Sequence, residues 1–452
     1  MRIALAIACG FFSLGCHGLK PTVPDRECVS SNVSERFGAS IGCAPEPDKI
    51  IVPPGLALGE PLCEDHAVLL ALWNNPAFQE LLVDLQLTRS DLIQANLLPN
   101  PEVLYYFSAP DKPFRYLVDF PVESLWLRPI RVKNAKWENA RSVERLTQAA
   151  LDLIRDTRQA YADVLLARDR VAVAERGLKV RGRIAELAEN RLKAGDASVQ
   201  EAATGKIDSL LAKQDATRIG FEIALAEERL KNLTGLAGMT QKLILDETPP
   251  PKDVPIDGES LVLQAVRERP DAIAADLATF AARERLRLAK IGWVRFLGIL
   301  DATAGRNTGH EFGPGFRVTL PIFNWNQGGI ARAEAELEQL ERRRRTVHNQ
   351  IILDVKLAAV RYDQAKSEID VLRNSVRPEV EASIIRAEKS KLAGNAAVLL
   401  ELEATRQLLD TLNREAQLKA DLRRAWADLE RSVGRKLGGA MQIPLLPKAP
   451  SP

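Results

Sequence analysis

A chain of 452 residues with 27% charged side chains and a net charge of +2 carries no bulk electrostatic pull toward nucleic acid. Its four histidines and five cysteines form no HExxH, paired CxxC or phosphate-binding loop, so metal-centre, redox and nucleotide chemistry have no motif to start from. No nucleophile stands at a recognisable spacing from a base, so no enzyme activity, cofactor or metal is expected.

In chain order, Met1-Arg2 is a short basic start, and Ile3 to Leu14 is apolar apart from Gly10 and Ser13. This has signal-peptide length and is too short to span a bilayer. Ser13-Leu-Gly-Cys16 resembles a bacterial lipoprotein cleavage box, with Ser13 departing from the usual leucine. Residues 1–15 are therefore expected to be removed and Cys16 acylated. Residues 16–59, rich in Pro, Ser and Gly, read as an extended tether. Of the remaining cysteines, Cys28 and Cys43 have the spacing to close a small loop, leaving Cys63 over; sequence alone does not choose a pairing.

From about Leu62 to Leu98 the pattern is helical, restarting at Asn74-Asn-Pro76. Two strands follow within about 102–123, joined by a proline-rich loop from Ser108 to Pro113. A long helix is predicted from roughly Ile130 to Leu192, a turn at Gly195, and a return helix to about Leu233. Thr248-Pro-Pro-Pro251 marks a linker over 246–258. Then the order restarts: helix 259–290 with Pro270 inside it, and strands within about 294–322. In the second of these, Phe312, Phe316, Val318, Leu320 and Ile322 share one parity, while Gly313, Gly315, Arg317 and Thr319 share the other. Period two over that length describes a strand with one apolar and one polar face. A long helix begins near Gly328, in which Ile351, Val355, Ala358, Tyr362, Ala365, Ile369, Leu372 and Val376 step by four and three as a heptad seam. The Arg342–Arg345 run within it, beside Glu334, Glu336, Glu338 and Glu341, reads as a solvated, salt-bridged face. Lys391-Leu-Ala-Gly-Asn395 turns the chain, a return helix reaches about Leu437, and 438–452 is a proline-rich tail.

The two halves superimpose as text. Shifted by about 200 residues, Phe114–Val122 lies on Pro314–Ile322, and shifted by 199, Ala194-Gly-Asp-Ala-Ser-Val199 lies on Ala393-Gly-Asn-Ala-Ala-Val398. At about 194 residues, Ala71 and Pro76 lie on Ala265 and Pro270. Three anchors in one order describe an internal duplication, with repeats over 60–245 and 259–437. Four strands with one apolar face cannot close a barrel alone, and unpaired edges do not survive in a bilayer. Pooled between copies, they would face lipid outside and water inside, with Arg115, Asp119, Arg317 and Thr319 turned inward.

At this point the Val318-Thr-Leu-Pro-Ile-Phe-Asn-Trp-Asn-Gln-Gly-Gly-Ile330 junction resembles that of the outer-membrane efflux proteins of the TolC family. The Lys391-Leu-Ala-Gly394 turn and Leu399–Arg406 resemble that family's tip and return helix. The likeness covers roughly 60–437. It implies a mainly α chain of long antiparallel helical hairpins with a small β part, four strands per chain contributing to a trimeric transmembrane barrel. It further implies a homotrimeric exit duct in outer-membrane lipid, working with a periplasmic adaptor and an inner-membrane pump. Family tips are adaptor-docking points, which singles out Ala194, Gly195, Asp196, Ala393, Gly394 and Asn395. Family members often carry acids six and nine places past the second tip glycine. Here those places hold Leu400, a departure, and Glu403, with Glu401 beside it and Glu201 at the sixth place in the first half. These are the expected entrance carboxylates. The competing readings are an exported, lipid-anchored coiled-coil scaffold without channel activity and a soluble helical adaptor.

Overall fold

The computed structural model describes residues 25–43, 49–56, 59–107, 114–240, 242–246, 257–305, 309–392 and 398–438. The expected signal segment, Cys16, the proline linker and the tail lie outside these residues, as do Ala393, Gly394 and Asn395.

The chain begins with α1, Arg26–Phe37, where an extended tether was expected. Asp25 caps its first turn, Gly38 ends it in the left-handed region, and Val29, Val33 and Phe37 bury one stripe. That stripe joins Val143, Leu146, Ala150 and Ile154 in one core. The flanking prolines and serines hid a four-residue apolar spacing that is the helix's own signal. Cys28, Cys43 and Cys63 are all free thiols, so none of the pairings that the sequence left open is formed.

Helices α2 (Glu64–Asn74) and α3 (Pro76–Asn96) meet at Asn75, whose extended backbone and capping side chain restart the helix ahead of Pro76. Strands β1 (Glu102–Tyr106) and β2 (Phe114–Pro121) lead into α4, Glu123–Lys193, a helix of 71 residues. At 1.5 Å per residue it is roughly 105 Å long. It starts seven residues before the expected position, because Pro129 is taken into its second turn at the loss of one hydrogen bond. Helix α5, Val199–Leu233, returns. In the second half come α6 (Gly258–Glu268) and α7 (Pro270–Ile291), broken at Arg269 ahead of Pro270 rather than continuous. Strands β3 (Phe296–Gly305) and β4 (Gly309–Val318) follow. Strand β4 stops at Val318, so Thr319, Leu320 and Ile322 lie beyond it. Helix α8, Gln327–Val371, runs into a π-helical turn at Leu372–Val376 and then α9, Arg377–Leu392. Pro378 has no N–H to give the preceding turn, and the widened π turn lies immediately before it. Helix α10, Val398–Val433, returns.

The heptad residues from Ile351 to Leu372 are buried together against Leu418, Leu422, Trp426 and Leu429 of α10; Val376, past the π turn's phase shift, is exposed. The repeats match in atomic detail where they close. Asn75 donates from Nδ2 to the Leu233 carbonyl at 2.9 Å, and Arg269 donates to the Ser432 carbonyl at 3.1 Å. Gly235 and Gly434 end α5 and α10 in the left-handed region. Each donor precedes a proline, and each acceptor sits in the last turn of a return helix.

The four strands form one antiparallel sheet in the order β1-β2-β3-β4. The helices follow the same logic. Near the sheet the wall reads α3-α4-α7-α8, and farther away α5-α4-α10-α8, with α9 continuing beside α10. Helices α1, α2 and α6 belt the changeover between the two levels.

Candidate functional site

Register separates the sheet's faces. Tyr116, Ala302 and Phe312 stand in one row across β2, β3 and β4, as do Val118, Leu300 and Pro314. Two aromatic bands end this apolar face. Tyr105 packs on Phe107, Phe114 and Tyr116 at centroid distances of 4.8, 6.1 and 5.1 Å near the hairpin loops. Phe296 stacks on Phe316 at 5.8 Å and meets Trp126 at 6.3 Å where the strands join the helices. Aromatic belts at both ends of an exposed apolar band match the two interfaces of a bilayer.

The other face is crossed by ion pairs. Arg115 holds Asp301 at 2.5 Å and Arg317 holds Asp119 at 3.3 Å. Three of the four residues expected on the polar side thus share it, and Thr319 follows just past the strand, its N–H donating to the Arg295 carbonyl at 3.3 Å. Sequence reading missed Asp301 as the partner of Arg115. Its signal was available, since Asp301 alternates with Leu300 and Ala302. No described helix is long and apolar enough to cross a membrane.

At every level the wall ends in open edges. Strands β1 and β4 each have one unpaired side. Near the sheet, α3 exposes Leu81, Val83 and Leu87; at and beyond the changeover, α8 exposes Leu353, Leu357 and Val360. Farther away α5 exposes Ile207, Leu210, Leu211, Phe221 and Leu225.

The first tip is a tight reversal. Gly195 has φ 83° and open space around it, and the Asp196 N–H donates to the Arg191 carbonyl at 2.8 Å. Ser198 caps α5 by accepting from the Glu201 N–H at 3.1 Å, so Ser198…Glu201 is a capping pair as well as an acidic position. The Glu201 carboxylate accepts from Arg191 at 3.3 Å across the turn. Glu403 is exposed on α10 and, among the described residues, accepts a long 3.4 Å bond from Gln407. The backbone of Glu401 lies in α10, but its side chain lies outside the described residues. The structure brings Ala194, Gly195, Asp196 and Glu201 together.

Where the levels change, buried charges tie the repeats. Arg158 of α4 pairs with Glu430 of α10 and lies 3.5 Å from both Glu64 and Asp65 of α2. Burial opposes the arginine's charge, yet these carboxylates outweigh it and raise its pKa. Arg269 pairs with Asp271 at 2.5 Å and Asp354 at 3.3 Å. Among the described residues no cluster of His, Cys, Asp and Glu could hold a metal ion.

A long helical wall carrying a two-faced sheet at one end is the architecture of the outer-membrane channel folds. The sequence profile of the outer membrane efflux proteins matches residues 128–236 and 262–435, more than half the chain, and the chain belongs to that family. It is 24% identical over 390 residues to the cobalt-zinc-cadmium resistance protein CzcC of Cupriavidus metallidurans, covering 83% of this chain and 90% of that protein. Its fold matches crystal structures of CusC, a study of transmembrane channel formation, at TM-score 0.71 and 16% identity, over 92% of this chain and 100% of that one. It also matches the outer membrane protein VceC of Vibrio cholerae at TM-score 0.69 and 16% identity, over 82% and 96%. Members of this family are efflux channels of the outer membrane, not enzymes.

Proposed function

We propose that this protein is the outer-membrane exit duct of a tripartite efflux system, a passive homotrimeric conduit whose cargo is divalent metal cations. The observation that carries the reading is the coincidence of open edges. Sheet, upper wall and lower wall all end laterally, and exposed apolar side chains stand on the edge helices α3, α5 and α8. Such a chain is one sector of a closed tube, because a sheet edge in lipid must be paired. Three sectors of four strands make one barrel with Arg115, Asp119, Asp301 and Arg317 toward its water-filled interior. The cation cargo is supported by the likeness to a cobalt-zinc-cadmium resistance protein over 90% of that protein's length. Carboxylates at the entrance, Glu201, Glu401 and Glu403, suit a positive cargo.

The driving energy belongs to an inner-membrane pump, joined by a periplasmic adaptor whose docking points are the tips at Ala194, Gly195, Asp196, Ala393, Gly394 and Asn395. Adaptor contact opens the entrance by binding the open form better than the closed one. Acylation of Cys16 adds a second hold on the membrane. Reconstitution into planar bilayers tests the duct: discrete single-channel conductance is expected. A mature chain that stays monomeric and passes no ions is instead an anchored scaffold. Deleting the gene should sensitise the cell to cobalt, zinc or cadmium; sensitivity to organic drugs alone would reassign the cargo.

A further inference from the structure

The Arg342–Arg345 run is only half used within its own chain. Arg342 pairs with Glu338 of the same helix at 2.5 Å, and Arg344 contacts Asp276 of α7. Arg343 and Arg345 have no ion partner among the described residues, and neither do Glu80, Asp84 or Asp91 on α3. Each set stands on an open edge of the upper wall, α8 on one side and α3 on the other.

We propose that the arginine run on α8 docks against the acidic stripe of α3 on a second copy of this chain. This pairing fixes the height at which neighbouring sectors join. The inference rests on the reading of the chain as one sector of a closed tube and names the contact that sets its register.

Faces come first. Helix α3 buries Phe78, Leu82, Leu85 and Leu92. Glu80, Asp84, Leu87 and Asp91 step by four, three and four on the opposite side, and all are exposed. On α8, Glu341 and Arg344 point at α7, through Arg283 and Asp276. Arg342 lies on the far side, in line with exposed Leu353, Val360 and Val371, which follow at helical spacing. Arg342 therefore continues the apolar stripe that faces the missing neighbour, and Arg345 stands about 60° round the helix from it, between Arg342 and Glu341.

Height comes second, and three contacts fix it across the wall. Asn139 of α4 donates to the Thr88 hydroxyl of α3 at 3.1 Å, Arg285 of α7 donates to Glu138 of α4 at 2.5 Å, and Arg283 of α7 donates to Glu341 of α8 at 3.3 Å. Thr88 and Glu341 are thus level. Helix α3 runs toward the sheet and α8 away from it. One turn below that line, Asp84 on α3 is level with Arg345 on α8. Rotation about the tube axis preserves height, so Arg345 of one copy comes to Asp84 of the next, with Arg342 between Asp84 and Asp91. Opposite charges at matched height attract, and a slip by one turn would set Arg345 against Thr88.

The test replaces Asp84 and Arg345 by cysteine in a chain whose Cys28, Cys43 and Cys63 are serine. Mild oxidation should give covalent, reductant-sensitive dimers and trimers on denaturing gels. The displaced pair Ser90→Cys with Arg345→Cys should not crosslink. Asp84→Arg or Arg345→Glu alone should raise trimer dissociation in detergent roughly two- to fivefold per interface, the scale of an exposed ion pair, and the double exchange should restore it. An intact trimer that neither crosslinks at 84 and 345 nor responds to either reversal overturns the contact and leaves the conduit standing. A parent chain that is monomeric by mass in detergent overturns both.

Discussion

Single side chains set the two kinds of electrostatics in this molecule, and burial separates them. At the changeover between wall levels, burial lifts the Glu64 and Glu430 carboxyls above the ordinary 4.5, with Arg158 opposing that rise. A carboxyl raised in the folded state contributes stability that is complete below its unfolded pKa and is lost as pH climbs through the folded one. Removing Arg158 leaves both acids without their main counter-charge and raises them further. Arg158→Met should therefore cost about 3–5 kcal/mol in mildly alkaline buffer, as for a buried pair broken on one side, and distinctly less near pH 5. Denaturant unfolding of the detergent-solubilised protein at the two pH values measures the difference. Exposed Glu403 is the other kind: it is not packed into the core, so the entrance role proposed for it would act through its field. Glu403→Lys should change cation preference or resting conductance in single-channel recordings, and unaltered recordings would remove it from the entrance.

The elements owe their ends to backbone chemistry, and the two left-handed glycines of the first repeat show how context alters the same requirement. Around Gly195 there is open space, so Gly195→Ala should cost only the left-handed penalty of about 1–2 kcal/mol. At Gly235 a Cβ would lie 2.4 Å from the Asn74 carbonyl oxygen, so Gly235→Ala must also push α2 away from α5. It should destabilise more than Gly195→Ala in the same unfolding assay. The π turn at Leu372–Val376 is a second instance. Arg373, Arg377 and Lys419 converge on the buried Glu415 at 3.5, 3.1 and 3.5 Å, bracing the one place where the long helix changes pitch. Glu415→Gln should speed amide exchange across 372–392 by about tenfold, the worth of a charged hydrogen bond, while 351–369 keeps its protection. Uniform acceleration along the whole helix would show that the brace is not local.

For the whole molecule, the burial pattern of one chain is incomplete in a directed way. Leu353, Leu357 and Val360 on α8 are 48%, 45% and 64% exposed beside a seam on the same helix that is almost fully buried. Val360→Asp places a charge on the open side only. It should leave the fold of the single chain intact by circular dichroism while shifting the proposed trimer toward monomer in detergent. Loss of helix content together with assembly would mean that the face is part of the chain's own core.

Much of this was legible before any coordinates. The alternation at 312–318, the heptad from Ile351 to Leu372, and the glycine and proline signals at 75–76 and 195 all determined local form, because each depends on a few residues and one period; the break ahead of Pro270 went unread. What went unread was short or long-ranged. Helix α1 hid among prolines, and Asp301 gained meaning only when the register set it beside Arg115. Glu201 resembled an entrance acid, while its Ser198 spacing equally specifies a cap.

Sequence by itself thus determined the repeat, the two-faced strands and the rod-like helices, since periodicity is a property of the chain. Only the tertiary structure decided which edges stay open, which charges find partners and at what height α3 and α8 stand. Those depend on how helices far apart in sequence lie side by side, and no local pattern encodes that distance.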